Sequence, residues 1–276
     1  MISSPTSAPS TTTRFAVVGH VEVVEFLDVE HVPSPGEIVH ATSRMIVAAG
    51  GGAVAAVALA RWTGASTLFC ALGDDELGHR AKAELESRAV TVRAAWRASP
   101  QRRAITMVDA HRERTIVVIG ERHVPHGDDP LPWDELASID SVYITGGDAA
   151  AIRQARRART AVATARILAD LRNVPLDALV SSANDRAERY VAGELTPEPS
   201  VVVRTDGARG GTYTIAGATH HYGAMPATVT GDTYGAGDTF AAALTYALAR
   251  SLPAGDAIAE ASARAIEVLA WRGPYP

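Results

Sequence analysis

Asp238 stands inside a glycine-rich run, G-D-T-Y-G-A-G-D-T-F-A-A-A-L-T-Y-A-L from Gly231 to Leu248, and its chemistry depends on that setting. Gly235 and Gly237 allow the chain to turn sharply. From Phe240 onward, Phe240, Ala243, Leu244, Ala247 and Leu248 recur at helical spacing, so the run is expected to turn and then become a helix with one buried face. The unpaired N–H groups and positive dipole end of such a helix start attract anions, phosphates above all. A carboxylate at this place has two readings. Asp238 can cap the helix, a role Thr239 could share. It can also take the proton of a hydroxyl attacking a phosphoryl group, while the N–H groups hold the developing negative charge. The local pattern leaves both open.

The seven residues D-T-Y-G-A-G-D, Asp232 to Asp238, resemble the C-terminal signature of the ribokinase-like (PfkB) carbohydrate kinase family at every defining position. The resemblance implies that Asp238 is the catalytic base and that the main chain of Gly235, Ala236 and Gly237 is the anion hole. Upstream, A-A-G-G-G-A-V-A-A-V-A-L-A-R-W-T-G-A, Ala48 to Ala65, reads by itself as a tight turn before an alanine-packed core helix. It also resembles the family's N-terminal signature, and G-D-D-E-L-G, Gly73 to Gly78, resembles the G-x-D-x-x-G turn that follows it. The signatures stand in the family's order.

The same resemblance assigns further residues. T-D-G-A-R-G-G is similar to the family's T-x-G-x-x-G nucleotide loop, which implies ATP contacts from Thr205, Gly207, Arg209 and Gly210; alone, it is an ordinary hairpin turn. Asp185 and Glu188, spaced D-x-x-E, resemble the N-x-x-E element that acts on magnesium and phosphate through water. Asp is at least as good a partner as Asn for a hard cation. The other reading of this pair is a solvated helix start with favourable N-terminal charge. Asp232 and Thr233 resemble residues beside a monovalent-cation site, implying potassium as an activator.

The acceptor end departs from the family pattern. The positions where its sugar kinases carry an Asp and an Asn are Val24 and Ala55 here, so ribose and simple hexoses are poorly matched. Glu22, Gly50, Gly51 and Asp148 remain to meet an acceptor, with His20 and Glu25 nearby. No Lys or Arg cluster is visible beside Gly50 or Glu22, which disfavours a sugar phosphate.

These groups need a scaffold. F-A-V-V-G (Phe15 to Gly19), Thr67 to Ala71, Val142 to Thr145, Ala178 to Val180 and Val201 to Val203 read as buried strands ending in loops. Ala149 to Arg172 has helical character, with Arg153, Arg156, Arg157, Arg159, Arg166 and Arg172 as the solvated side of an outer helix. Strands alternating with helices predict an α/β protein with a mainly parallel central sheet covered on both faces. The resemblance makes this the three-layer ribokinase-like fold over 14–276, with a small β lid from about 21–47 and 101–124. Within the lid, a strand is expected over Glu37–Val47, and Arg103–Val108 and Arg114–Ile119 pair across the turn Asp109–Glu113. Residues 1–13, rich in Ser, Thr and Pro, read as a disordered leader without the basic and apolar regions of a signal peptide.

Composition narrows the function. The chain has 276 residues, 47% of them apolar, and a formal net charge of −5, which argues against nucleic acid or an acidic membrane as the main partner. No run approaches the roughly 18 apolar residues of a membrane span. The single cysteine, Cys70, lies in an apolar run and fits a reducing, cytoplasmic setting. The expected activity is ATP- and Mg²⁺-dependent phosphorylation of a hydroxyl on a small carbohydrate-like acceptor. A nucleoside kinase, marked by an aromatic such as Phe26 or Tyr143 at the substrate, is the alternative within the superfamily. A ligand-binding homologue that has lost catalysis is the non-enzymatic one. An exposed lid strand offers an edge for a homodimer.

Overall fold

The computed structural model describes residues 13–276; the expected leader therefore lies outside the described residues up to residue 12. Thirteen strands and five α-helices follow in the order β1 (Phe15–Val18), β2 (Glu22–Asp28), β3 (Ser43–Ala49), α1 (Gly51–Thr63), β4 (Ser66–Gly73), α2 (Glu76–Ser87), β5 (Val90–Arg97), β6 (Arg103–Val108), β7 (Arg114–Ile119), β8 (Ser141–Ile144), α3 (Ala149–Ala155), β9 (Thr160–Thr164), β10 (Ala178–Ser182), β11 (Val201–Thr205), β12 (Gly211–Ile215), β13 (Ala218–Tyr222), α4 (Ala236–Ala249) and α5 (Ala254–Ala265).

Nine strands form the main sheet in the order β13-β12-β11-β10-β9-β8-β1-β4-β5. From β5 to β11 every pair is parallel; β12 and β13 add an antiparallel edge. Short apolar strands suit this position because both faces are covered. In β1, Phe15 and Val17 pack into one core cluster with α1, α4 and α5, while Ala16 and Val18 pack into a second with α3 and the 3-10 turn Trp133–Ser138. This is the three-layer α/β arrangement. The chain moves outward from β1 to β4 and β5, then returns to β8 on the other side of β1. The carboxyl ends of β1 and β8 thus flank a topological switch point, where open α/β sheets bind ligands.

The remaining strands make a four-stranded sheet, β3-β2-β6-β7. Seven-residue β2 pairs with β3 in antiparallel register from Glu22↔Ala49 to Asp28↔Ser43. That register places the strand expected over Glu37–Val47 later: 37–42 is irregular because β2 offers no partner beyond Asp28. The hairpin β6–β7 turns over Asp109–Glu113, where Asp109 Oδ1 accepts the N–H groups of His111 and Glu113.

The largest correction concerns Ala149–Arg172. It is not one helix: α3 has seven residues, β9 follows, and a 3-10 turn spans Ala165–Asp170. Alanine favours helix, but Thr160–Thr164 is buried along its whole length between β8 and β10, and tertiary pairing overrides the propensity. Arg166 therefore follows a strand end in the site region instead of riding on an outer helix. Strand β5, V-T-V-R-A-A-W-R, is a further element the apolar pattern does not announce.

Candidate active site

The turn before α4 is built around two glycines with different constraints. Gly235 is left-handed at φ +78°, and a Cβ there would meet Val54 Cγ1 at 2.9 Å. Gly51, in the first turn of α1, makes room for the carboxylate: an added Cβ would sit 2.7 Å from Asp238 Oδ1 and 2.8 Å from Thr145 Oγ1. Asp238 is thus boxed between α1 and the end of β8, where Tyr143 donates its hydroxyl to Asp238 Oδ1 at 3.3 Å. Ala236, Gly237 and Asp238 occupy the first turn of α4, whose N–H groups have no helical carbonyl behind them.

Asp238 is half-buried and surrounded closely enough that its pKa rises from 3.8 to about 6. Burial is the largest cause and the Glu188 carboxylate adds to it, while Arg166, the Tyr143 hydroxyl and Arg122 pull the other way. The carboxylate is ionised at neutral pH and more basic than an ordinary aspartate, as a proton acceptor in catalysis needs.

On one side of Asp238 lies a cavity of about 580 Å³ that runs from Thr205, Gly207 and Gly210 to Ala236 and Gly237, with Phe240 among its apolar walls. Arg209 does not line it. Its guanidinium turns back onto Asp206 through bonds of 2.8 and 2.6 Å, beside a separate surface hollow.

Asp185 and Glu188 converge, but on an arginine. Arg166 donates Nη2 to Asp185 Oδ2 at 2.5 Å and Nε to Glu188 Oε1 at 3.0 Å, and the second Asp185 oxygen accepts Ala187 N–H. Glu188 Oε2 has no such partner among the described residues. Magnesium keeps several waters and takes only one or two carboxylates beside substrate phosphates, so this donor set fits the ion of MgATP held largely through water. Asp232 is buried, and its two oxygens accept Tyr234 N–H and Gly273 N–H, each at 2.7 Å, which ties the turn to the C-terminal segment. Asp148 caps α3: its Oδ1 accepts Ala151 N–H at 2.7 Å and Gly127 N–H at 3.0 Å.

The other side of Asp238 contains charges the sequence did not group. Gly50 abuts Glu22 and His20, each within 3.2 Å of an added Cβ. Arg102 Nε sits 2.7 Å from Glu22 Oε1, an ion pair without an aligned hydrogen bond. Arg122 donates Nη2 to His20 Nδ1 and to the Thr145 carbonyl, both at 2.8 Å. Since a guanidinium only donates, Nδ1 accepts in this short contact and the proton of the neutral ring sits on Nε2, 3.8 Å from Glu22 Oε1; the Gly51 N–H, 3.4 Å from Nε2, is the longer and weaker contact. Burial first, then Arg122 and Arg102, hold the His20 pKa well below its usual value, so the ring is neutral. The expectation of no arginine cluster beside Gly50 or Glu22 is therefore overturned: the pairing of β2 with β6 brings Arg102 to Glu22, and Arg122 stands on His20. Val24 and Ala55 are 0% exposed and belong to the core. His20 and Arg166 each stand just after a parallel strand, a position that could have singled them out; Arg102 and Arg122 carry no comparable local signal.

Comparison with known proteins gives the following. The profile described as pfkB family carbohydrate kinase matches residues 12–174 and 155–275. No curated protein sequence matches the chain. Among solved structures, ribokinase from Thermotoga maritima is similar at TM-score 0.76 and 18% identity, covering 96% of each chain. Ribokinase from Arabidopsis thaliana, complexed with ribose and ATP, superposes at TM-score 0.73 and 19% identity, over 95% of this chain and 94% of that one. Adenosine kinase from Sinorhizobium meliloti does so at 0.76 and 17%, covering 96% of each. At these identities the structures establish the shared fold.

Proposed function

Since the chain belongs to the pfkB family of carbohydrate kinases and is a kinase, we propose that it moves the γ-phosphoryl group of ATP to a hydroxyl of a small carbohydrate-like acceptor, with Asp238 as the base. The observation that carries this reading is the position of Asp238. Its half-buried carboxylate, with a pKa of about 6, lies against Gly51 beside Thr145, on the same first helical turn as Ala236 and Gly237, which line the 580 Å³ cavity. ATP occupies that cavity, its phosphates directed to the first turn of α4. The acceptor lies toward Gly50, Gly51 and Glu22. Asp238 takes the hydroxyl proton as the acceptor oxygen bonds to the γ-phosphorus; the bond to the β–γ bridging oxygen breaks and ADP leaves. N–H groups of Ala236 to Asp238 receive the charge on the transferring group. Glu188 and Asp185 would hold the magnesium of MgATP through water, where it would neutralise phosphate charge, and Asp232 and Thr233 would stand beside an activating potassium outside the chemistry. The four-stranded sheet acts as the lid that excludes water.

A nucleoside acceptor finds no aromatic platform where one was expected. Phe26 is 0% exposed and packs edge-on against Tyr234, and Tyr143 is buried with its hydroxyl on Asp238. The lid also carries the proposed dimer edge: on β7, Ile116, Val117, Val118 and Ile119 are 42–49% exposed, an apolar edge strand that a second copy would cover. Among the described residues no helix is long and apolar enough to cross a membrane. Cys70 is buried with its thiol pushed up to about 12, unreactive and consistent with the proposed cytoplasmic setting.

The test is ADP release with MgATP against sugars, polyols and nucleosides, with Asp238→Asn as the blank. Turnover of one acceptor class that vanishes in the variant is the expected result. Turnover that survives in purified Asp238→Asn removes Asp238 from the role of base.

A further inference from the structure

We propose that the acceptor carries an oxyanion, a carboxylate or a phosphate monoester, and that Arg122, positioned by His20 and backed by Arg102, receives it. The inference rests on the kinase reading and names its substrate class.

Four observations lead there. The two positions that would read neutral hydroxyls, Val24 and Ala55, are sealed in the core and touch no acceptor. Recognition therefore falls to the polar groups around Gly50 and Gly51, of which Arg122 is the least compensated. No carboxylate lies within 4.0 Å of its guanidinium among the described residues, and it uses only Nη2, on a neutral imidazole and a carbonyl. Its other N–H donors have no acceptor among the described residues. Burial first, then Arg102 and Arg166, pull its pKa down, with Glu22 and Asp238 acting more weakly the other way. Arg102 is neutralised by Glu22, and Arg166 by Asp185 and Glu188, so Arg122 is the guanidinium of this group whose charge an incoming anion would meet.

Placement distinguishes the acceptor from the nucleotide as the source of the anion. None of His20, Glu22, Arg102 and Arg122 lines the 580 Å³ cavity. Arg122 holds the carbonyl of Thr145, the residue whose hydroxyl faces Gly51 opposite Asp238. Its planar fork matches carboxylate and phosphate oxygens in a way a point charge does not. Glu22 keeps Arg102 in place and, with His20, remains available to a hydroxyl beside the anion.

The experiment compares matched acceptors: neutral sugars, the corresponding sugar acids, and sugar monophosphates. ADP release is measured for the native chain, Arg122→Gln and Arg122→Lys, and binding of each acceptor is followed in parallel by thermal shift. We expect one anionic class to exceed its neutral counterpart in kcat/KM by at least about tenfold. Arg122→Gln should erase that preference through KM while leaving KM for ATP unchanged, and Arg122→Lys should restore part of it. Arg122 makes no ion pair among the described residues, so its removal strands no carboxylate and the Gln variant should fold; the Lys variant keeps the charge if it does not. Which anionic class responds identifies the carboxylate or the phosphate. Preference for a neutral acceptor, unaltered by Arg122→Gln, overturns the anion site and leaves the kinase reading intact. An equal fall in kcat for every acceptor assigns Arg122 to the transferring phosphoryl group and also overturns it. Without turnover, an Arg122-dependent shift by an acid or phosphate supports the anion site while the kinase reading fails; no shift by any anion overturns the site.

Discussion

The two sides of Asp238 are made from different materials. The nucleotide side is main chain and apolar surface: the loop from Thr205 to Gly210, the first turn of α4 and Phe240. The proposed acceptor side is a set of carboxylate, guanidinium and imidazole side chains, Glu22, Arg102, Arg122 and His20, reaching in from the end of β1, the start of β2 and the segments flanking β6 and β7. Main-chain amides aimed at a phosphate recognise what every ATP shares. Side chains held by one another recognise what is particular to an acceptor, and they depend on each other's placement: moving Arg122 changes the tautomer constraint on His20, and moving Arg102 leaves Glu22 without its counter-charge. The first side suits the proposed reaction with ATP; the second suits selection of the proposed acceptor.

Substitutions can separate the two sides. The largest effect is expected from Asp238→Asn, which stops proton removal and should lower turnover by about 10³-fold or more with ATP binding retained, as read by ADP release and nucleotide titration. The same variant sharpens the energetic side of the comparison. A carboxylate whose pKa rises from 3.8 unfolded to about 6 folded favours its protonated native form, so its penalty is absent below about pH 4 and grows as pH rises to about 6. Above that the penalty is complete, on the order of 3 kcal/mol. Asp238→Asn should therefore raise the denaturation midpoint at pH 8 and lose that advantage near pH 4. A midpoint unchanged at both would show that Asp238 is better solvated than its surroundings imply.

Gly51→Ala should come next. Its methyl would press on Asp238 Oδ1 and Thr145 Oγ1 at 2.7 and 2.8 Å; misplacing the base by a fraction of an ångström is expected to lower kcat about 100-fold while ADP affinity stays at the native value. A loss of ADP affinity instead would mean that the two sides are not separable at this glycine.

The pH profile is expected to show a smaller effect. With ionised Asp238 as base, kcat should fall about tenfold per unit below pH 6. Tyr143→Phe removes a hydrogen bond that holds the Asp238 pKa down, so the inflection should move to higher pH; a shift downward would contradict the bond. Arg209→Ala is expected to change KM for ATP by less than about twofold, because its guanidinium is turned onto Asp206 and away from the cavity. A tenfold change would return Arg209 to the nucleotide site that its loop motif suggested.

How much of this was legible beforehand follows the same division. The turn from Asp232 to Asp238 could be read directly, because its form, a left-handed residue that glycine adopts easily followed by consecutive free amides at a helix start, is a property of contiguous sequence. The parallel sheet was equally visible in the short apolar runs that precede loops. Strand β9 was not, since T-A-V-A-T among alanines and arginines lacks a helix-breaking signal and becomes a strand only because β8 and β10 bury it. Arg166 was misplaced with it.

What the sequence determined by itself is the fold class and the glycine-rich turn that carries Asp238, the proposed base, because each follows from local spacing and backbone conformation. What only the tertiary structure decided is the electrostatic character of the acceptor side. Whether Arg102 meets Glu22, or Arg122 meets His20, depends on β2 pairing with β6 and on the end of β8 lying beside β1. Charges act through distance in space, and residues 20, 22, 102, 122 and 166 acquire their distances only when the sheets close.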